Sequence, residues 1–278
     1  MSDISRPAPA AGSTLARLTQ NNQIVLLVTL VLLCLAISLG APQFYSVDNL
    51  IAILRQCSLV LIIAAGMTML LIAAEVDLSV GASLAFSGVV AMDVTNKTGS
   101  VALGVAAAIL FGGAVGLFNG LVVTRLRVNS LIATIATMMI LQGGVYLYSR
   151  EAVQNMHLQK AFTDISTGYV GPLPVPVIIA AVVVIIAYVV LRHTTAGRYI
   201  YATGANERAA RLSGIRPERL KLIVFVVTGL LTGLAGLILA SLMNAGQPTA
   251  GRGFELTVVA AVILGGTSLT GGRGSLLG

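Results

Sequence analysis

The 278-residue chain is 56% hydrophobic and only 10% charged, with a formal charge of +7. That much apolar surface cannot be hidden inside a water-soluble domain of this size, so a soluble globular protein is excluded and lipid is the natural solvent. The basic residues sit in short connections between apolar runs rather than on one face with aromatics, which excludes a nucleic-acid partner and fits membrane loops beside lipid.

At about 20 apolar residues per crossing, the chain reads as an all-α polytopic transmembrane bundle of roughly eight segments. Residues 1–22, rich in Ser, Ala and Pro, read as a disordered tail, and residues 23–278 as the transmembrane domain. The run Ile24 to Leu39 follows Arg17, stops before Pro42 and lacks a small-x-small cleavage site, so it reads as an uncleaved first span. Next comes the span Leu50 to Ala73, then the connection A-E-V-D-L-S-V-G from Ala74 to Gly81. A charge at bilayer depth costs at least about 2.5 kcal/mol, so Glu75 and Asp77 should face water or protein. Either they line or gate a polar path with Ser79, or Asp77 merely caps the following helix by accepting backbone N–H bonds. The apolar stretch Val80 to Met92 is short for a full span and predicts a half-length helix.

The span Val101 to Val123 carries Gly112, Gly113, Gly116 and Gly120, a spacing that lets helix backbones approach closely. Its Asn119, like Thr134 and Gln142 in the span Leu131 to Tyr148, either lines a path or bonds between helices. Cys34 and Cys57 lie inside apolar runs without metal-ligand spacing and read as small buried hydrophobes. The longest outward connection, Arg150 to Val170, leads to the span Pro174 to Leu191. Arg125, Arg127, Arg192, Arg198, Arg208, Arg211, Arg216, Arg219 and Lys221 gather on the same side as Arg6 and Arg17, which predicts a cytoplasmic N-terminus.

On that side the loop 193–221 contains G-A-N-E-R-A-A-R-L-S-G-I, from Gly204 to Ile215. Asn206 suits an N-cap, Glu207 a first turn and Gly214 a C-terminal stop, giving a short surface helix with both ends built in. Its apolar positions Ala209, Leu212 and Ile215 suit a docking face while Arg208 and Arg211 stay solvated; the alternative is an interfacial helix on lipid headgroups. After the span Leu222 to Met243 comes a second short stretch, Leu256 to Leu264. This repeat of a long span, a polar turn and a short one is the pattern of transporters built from two related halves. The Gly-rich Gly265 to Ser275 lacks G-x-x-x-x-G-K, so it is a helix break that offers the Thr267 and Ser268 hydroxyls to a path rather than an ATP loop. His157 and His193 stand far apart and no catalytic constellation appears, so no enzyme is expected.

V-D-L-S-V-G at Val76 to Gly81, G-R-Y-I-Y-A-T-G-A-N-E at Gly197 to Glu207, A-A-R-L-S-G-I at Ala209 to Ile215, Q-P-T-A-G at Gln247 to Gly251 and L-G-G-T-S-L at Leu264 to Leu269 carry a family resemblance. From about Gln43 to Gly278 the chain closely resembles the permease subunits of bacterial ribose-type ABC importers. The resemblance implies a type II importer fold in the inner membrane and a permease dimer, homomeric or heteromeric. It also implies a monosaccharide delivered by a periplasmic binding protein, and a cytoplasmic ATPase that binds the ATP and Mg, with no cofactor or metal in this chain. Gly204, Asn206, Glu207, Ala209, Arg211, Leu212, Gly214 and Ile215 then form the segment that docks on the ATPase, and Asp77, Ser79, Asn119, Thr267 and Ser268 line the path. Family members usually run on for further helices after the Gly-rich segment, so a fragment lacking its closing helices is expected. Two competitors remain: an ion-driven secondary transporter with Glu75 and Asp77 as cation sites, and an ABC permease for branched-chain amino acids. The sugar itself is not legible, because specificity is expected to lie largely in the binding protein.

Overall fold

The computed structural model describes residues 22–157 and 159–277. The tail expected over residues 1–22 lies outside them up to position 21. The chain divides into two compact units, residues 1–50 and 51–278. In the first, α1 (Asn22–Gly40) leads to a single 3-10 turn, Pro42–Tyr45, which the proline helps to open.

Helix α2 (Val47–Ile72) begins at the end of the first unit and runs into the second, which goes on with α3 (Val80–Thr98), α4 (Val101–Thr124), α5 (Ser130–Tyr148), α6 (Lys160–Thr167), α7 (Val175–His193), α8 (Thr195–Ala205), α9 (Glu207–Leu212), α10 (Pro217–Met243) and α11 (Phe254–Leu264). Two antiparallel strand pairs of two residues each complete the described structure: Val153–Gln154 with Ala245–Gly246, and Tyr169–Val170 with Leu173–Pro174. Five helices, α2, α4, α5, α7 and α10, are long and apolar enough to cross a membrane, at 19–27 residues each. Their outward faces carry large apolar side chains such as Leu110, Ile140 and Ile185, each more than 60% exposed. In water such a surface would be an aggregation hazard; in a bilayer it meets lipid. The same solvent accounts for Cys57, which is exposed rather than buried: on a membrane helix a small hydrophobe needs lipid, not a protein core.

Antiparallel packing of α4 on α10 forms the centre. A methyl added at Gly112 would lie 2.3 Å from Gly229 O, one at Gly116 2.3 Å from Phe225 O, and one at Gly233 2.4 Å from Ala108 O. Residue numbers rise along α4 as they fall along α10, and the two backbones touch because neither has side chains between them. On a second side of α10, Gly236 meets Leu84 and Ser87 of α3, and Gly66 of α2 meets Thr228. The glycines singled out in the sequence therefore set the interhelical spacing.

The half-length reading of Val80 to Met92 is corrected: α3 runs for 19 residues to Thr98. It continues through polar residues because Lys97 pairs with Asp93 at 2.7 Å one turn earlier, and it stops at Gly99, whose φ of 70° suits a left-handed C-cap. The second short stretch stays short, with α11 at 11 residues. The segment before α11 lies along α3, with Gly246 against Val89 and Gly251 against Gly81.

Replacing Gly112 with Val should force α4 and α10 apart, lowering stability by about 1–3 kcal/mol or more. Gly143→Ala, where an added methyl meets nothing within 4 Å, should leave stability unchanged. Thermal unfolding of the detergent-solubilised protein checks both.

Candidate functional site

The turn between α2 and α3 leaves α2 through Glu75, whose N–H reaches Leu70 O at 2.9 Å. It then climbs along α5, donating from Val76 N to Ser130 Oγ at 3.3 Å and from Leu78 N to Thr134 Oγ1 at 3.1 Å. Hydroxyls one helical turn apart on α5 thus replace the backbone partners that an interrupted helix lacks.

Asp77 Oδ1 accepts from Ser79 N at 2.8 Å and from Ser79 Oγ at 2.6 Å. Asn119 of α4 donates Nδ2 to both Asp77 oxygens at 3.3 Å and to Ser79 Oγ at 2.8 Å, while its Oδ1 accepts from Thr137 Oγ1 at 2.7 Å. Asp77, Ser79, Asn119 and Thr134 are each no more than 2% exposed. A carboxylate this deep is tolerable because four donor contacts surround it. Asp77 organises the turn into α3, as the capping reading expected, and it also anchors α4 through Asn119. In this conformation the cluster is closed by protein on every side.

Thr267 and Ser268 do not join it, contrary to the grouping expected from sequence. Thr267 is buried against Gly274 with no hydrogen-bond partner for its hydroxyl, and Ser268 Oγ shares its bond with Thr270. They belong to a separate turn that folds back on Ile72, where Gly272 N donates to Ile72 O at 2.9 Å.

Beyond α8 the chain breaks at Asn206 and forms α9, six residues long. Asn206 Oδ1 accepts from Ala209 N at 3.0 Å, the expected N-cap. At the other end Ile215 N reaches Ala210 O and Gly214 N reaches Arg211 O, both at 3.1 Å, a paired closure that requires the φ of 84° found at Gly214. Ala209 and Leu212 are exposed, Leu212 to 91%, and Ile215 is half-buried. Ala210 instead is the buried residue that seats the helix. Gly204 stands apart from this surface: it lies in α8, packed so closely that a methyl would fall 1.7 Å from Ile72 O.

Arg211 stays solvated as expected, its side chain 53% exposed, and it also joins an ion network with its neighbours. It pairs with Glu207 at 3.1 Å, one turn back, and with Glu218 of α10 at 2.6 Å. Lys221 of α10 holds Glu207 at 2.7 Å and, on its other side, Glu75 at 2.7 Å. The Arg211 pairs are well exposed and contribute little. Lys221 and Glu75 have side chains only 13% and 9% exposed, so removing Lys221 would strand the Glu75 charge, at about 3–5 kcal/mol, whereas removing Glu75 leaves the lysine its Glu207 partner. The Lys221 hydrogen bond, assisted by Arg211, holds the Glu207 carboxyl below its usual range despite partial burial. Its contribution is therefore present above the ordinary glutamate range and fades as pH falls below it. A cavity of ≈ 490 Å³ opens beside this network, lined by Glu75, Arg127, Ser130, Glu207, Arg211 and Lys221 among others.

Sequence reasoning placed Lys221 only among the basic residues of a loop and missed its pairing with Glu75. The signal was available: an acid at the end of an apolar span demands a cation, and Lys221 opens the opposite end of another span. Ser130 and Thr137 were missed for lack of any such demand. Among the described residues no group of three or more His, Cys, Asp or Glu could hold a metal ion.

Asn119→Leu should strip partners from Asp77, Ser79 and Thr137 together and cost about 1–3 kcal/mol. Gln142→Leu, on a half-buried position outside the cluster, should sit near wild type in the same detergent unfolding assay.

Residues 49–278 match the family model described as the permease component of branched-chain amino acid transport systems. A ribose import permease protein of Haemophilus influenzae is 41% identical over 254 residues, covering 90% of this chain and 79% of the relative. An L-arabinose ABC transporter permease protein of Azospirillum brasilense is 40% identical over 273 residues, 98% of this chain and 79% of the relative. The ribose import permease protein of Bacillus subtilis is 37% identical over 250 residues, 90% and 78% of the two chains. No solved structure matches the chain. With five membrane-length apolar helices among the described residues, and agreement with these relatives over nine-tenths of its length, the chain is a multi-pass membrane protein that belongs to this permease family, in its ribose-type ABC importer branch.

Proposed function

We propose that the chain is the membrane-spanning subunit of an ATP-driven importer for a monosaccharide, and that α9 is where a separate cytoplasmic ATPase docks. The observation that carries this reading is a six-residue helix closed at both ends, pinned by ions on one side and presenting Leu212, 91% exposed, on the other. A helix so short is marginal alone, and in this reading the partner that covers Leu212 also helps to hold it. In this reading the α9 end of the bundle is cytoplasmic, the membrane is the bacterial inner membrane, and a periplasmic binding protein delivers the sugar to a pair of permeases. The Asp77, Ser79 and Asn119 cluster is the closed state of the polar path, opened when the helices around it shift. A sugar is favoured over an amino acid because the relatives matched at 37–41% identity are named for ribose and arabinose.

Co-purification with the cognate ATPase from detergent tests the docking. Leu212→Asp should weaken association about tenfold or more, as loss of an apolar anchor does, without changing the thermal midpoint of the permease. Gly214→Val should disrupt the left-handed stop and uncouple ATP hydrolysis from uptake. Wild-type association in Leu212→Asp would remove α9 from the interface; uptake that needs an ion gradient and no ATPase would replace the importer with a secondary transporter.

A further inference from the structure

Lys221 joins two elements that have no other ion pair between them among the described residues: α9, through Glu207, and the turn that carries Asp77, through Glu75. Both contacts are 2.7 Å, and the lysine is nearly enclosed. Beyond Glu75 the route is short. Val76 and Leu78 hang from Ser130 and Thr134, and Asp77 and Ser79 bind Asn119. Each step is a specific hydrogen bond to a side chain, so displacement of Glu75 changes the tension on the whole turn.

We propose that Lys221 is a positioning residue that ties the docking helix to the polar break, so that displacement of α9 by a partner is passed through Glu207, Lys221 and Glu75 to the Asp77, Ser79 and Asn119 cluster. Three features support this assignment. Closed by its N-cap and its glycine stop, α9 moves as a unit rather than unwinding under load. An ammonium held by two carboxylates cannot follow one without either dragging the other or leaving a poorly solvated charge. The exposed Arg211 pairs, by contrast, exchange freely with water and transmit little. The packing of Gly204 and Gly272 around Ile72 fixes where α8 lies but makes no bond to the side chains of the 75–79 turn.

The inference rests on the docking role of α9, and the test separates the two. Hydrogen–deuterium exchange is followed at residues 75–79 and at α9 in the full permease–ATPase complex in nanodiscs, with and without a non-hydrolysable ATP analogue. In the wild type, nucleotide should alter exchange in both segments. In Lys221→Met the change at α9 should persist and that at 75–79 should be lost, while Lys221→Arg, which keeps two-sided pairing, should restore it. Glu75→Leu, which removes only the inner contact, should behave like Lys221→Met and stands in if that variant fails to fold. A nucleotide-dependent change at 75–79 that survives Lys221→Met or Glu75→Leu would overturn the link, as would a wild type that responds at α9 alone. Loss of ATPase association in Lys221→Met would overturn it too, by placing the lysine at the docking surface. No response at α9 in the wild type would instead overturn the docking role itself.

Discussion

The packing of the second unit centres on the seam where α4 and α10 lie backbone to backbone. Gly112 and Gly116 on one helix and Gly229 and Gly233 on the other leave no room for a methyl, so the helices can neither slide nor separate without losing contact along several turns. In lipid, where apolar burial between helices adds little, such close packing is what holds a bundle together. The seam also sets the functional geometry. Gly120 packs against Leu222, which brings the Asn119 region of α4 and the Lys221 region of α10 to the same end of the bundle.

Two kinds of electrostatics are built on that frame. Asp77 is stabilised by neutral donors from its own turn and from α4, and its neighbours Ser79 and Asn119 are partnered in turn, Asn119 by Thr137 of α5. A network satisfied this fully rigidifies the break in one arrangement, and opening it requires replacement partners such as water or a hydroxylated solute. The ion network around Lys221 is graded, from nearly enclosed at Glu75 to well exposed at Arg211. Charge is thus expensive to rearrange near the turn and cheap near the surface of α9.

Helix α9 illustrates how local and tertiary information divide. Asn206, Glu207 and Gly214 specify its ends by short-range rules, since a side-chain cap, a dipole and a positive φ each involve residues within one turn. The same rules gave no warning that Arg211 is recruited by Glu218, or that Gly204 belongs to a tight backbone contact rather than to the surface. Both depend on elements distant in sequence. The fold was legible in the spans because apolar length is a local property, and α3 was read short because its polar last turns, held by Lys97 and Asp93, broke the apolar run without breaking the helix.

The sequence by itself determined the solvent, the five long spans α2, α4, α5, α7 and α10, the caps of α9 and the glycines that permit close packing, since each follows from composition or from spacing within a few turns. It also supplied motifs specific enough to place the chain in its family. Only the tertiary structure decided that Asp77, Ser79 and Asn119 form one buried cluster while Thr267 and Ser268 do not, and that Glu75 faces Lys221. Those outcomes turn on which helix faces meet, and a hydrogen bond or ion pair between residues dozens of positions apart exists only once backbone packing has set the register between them.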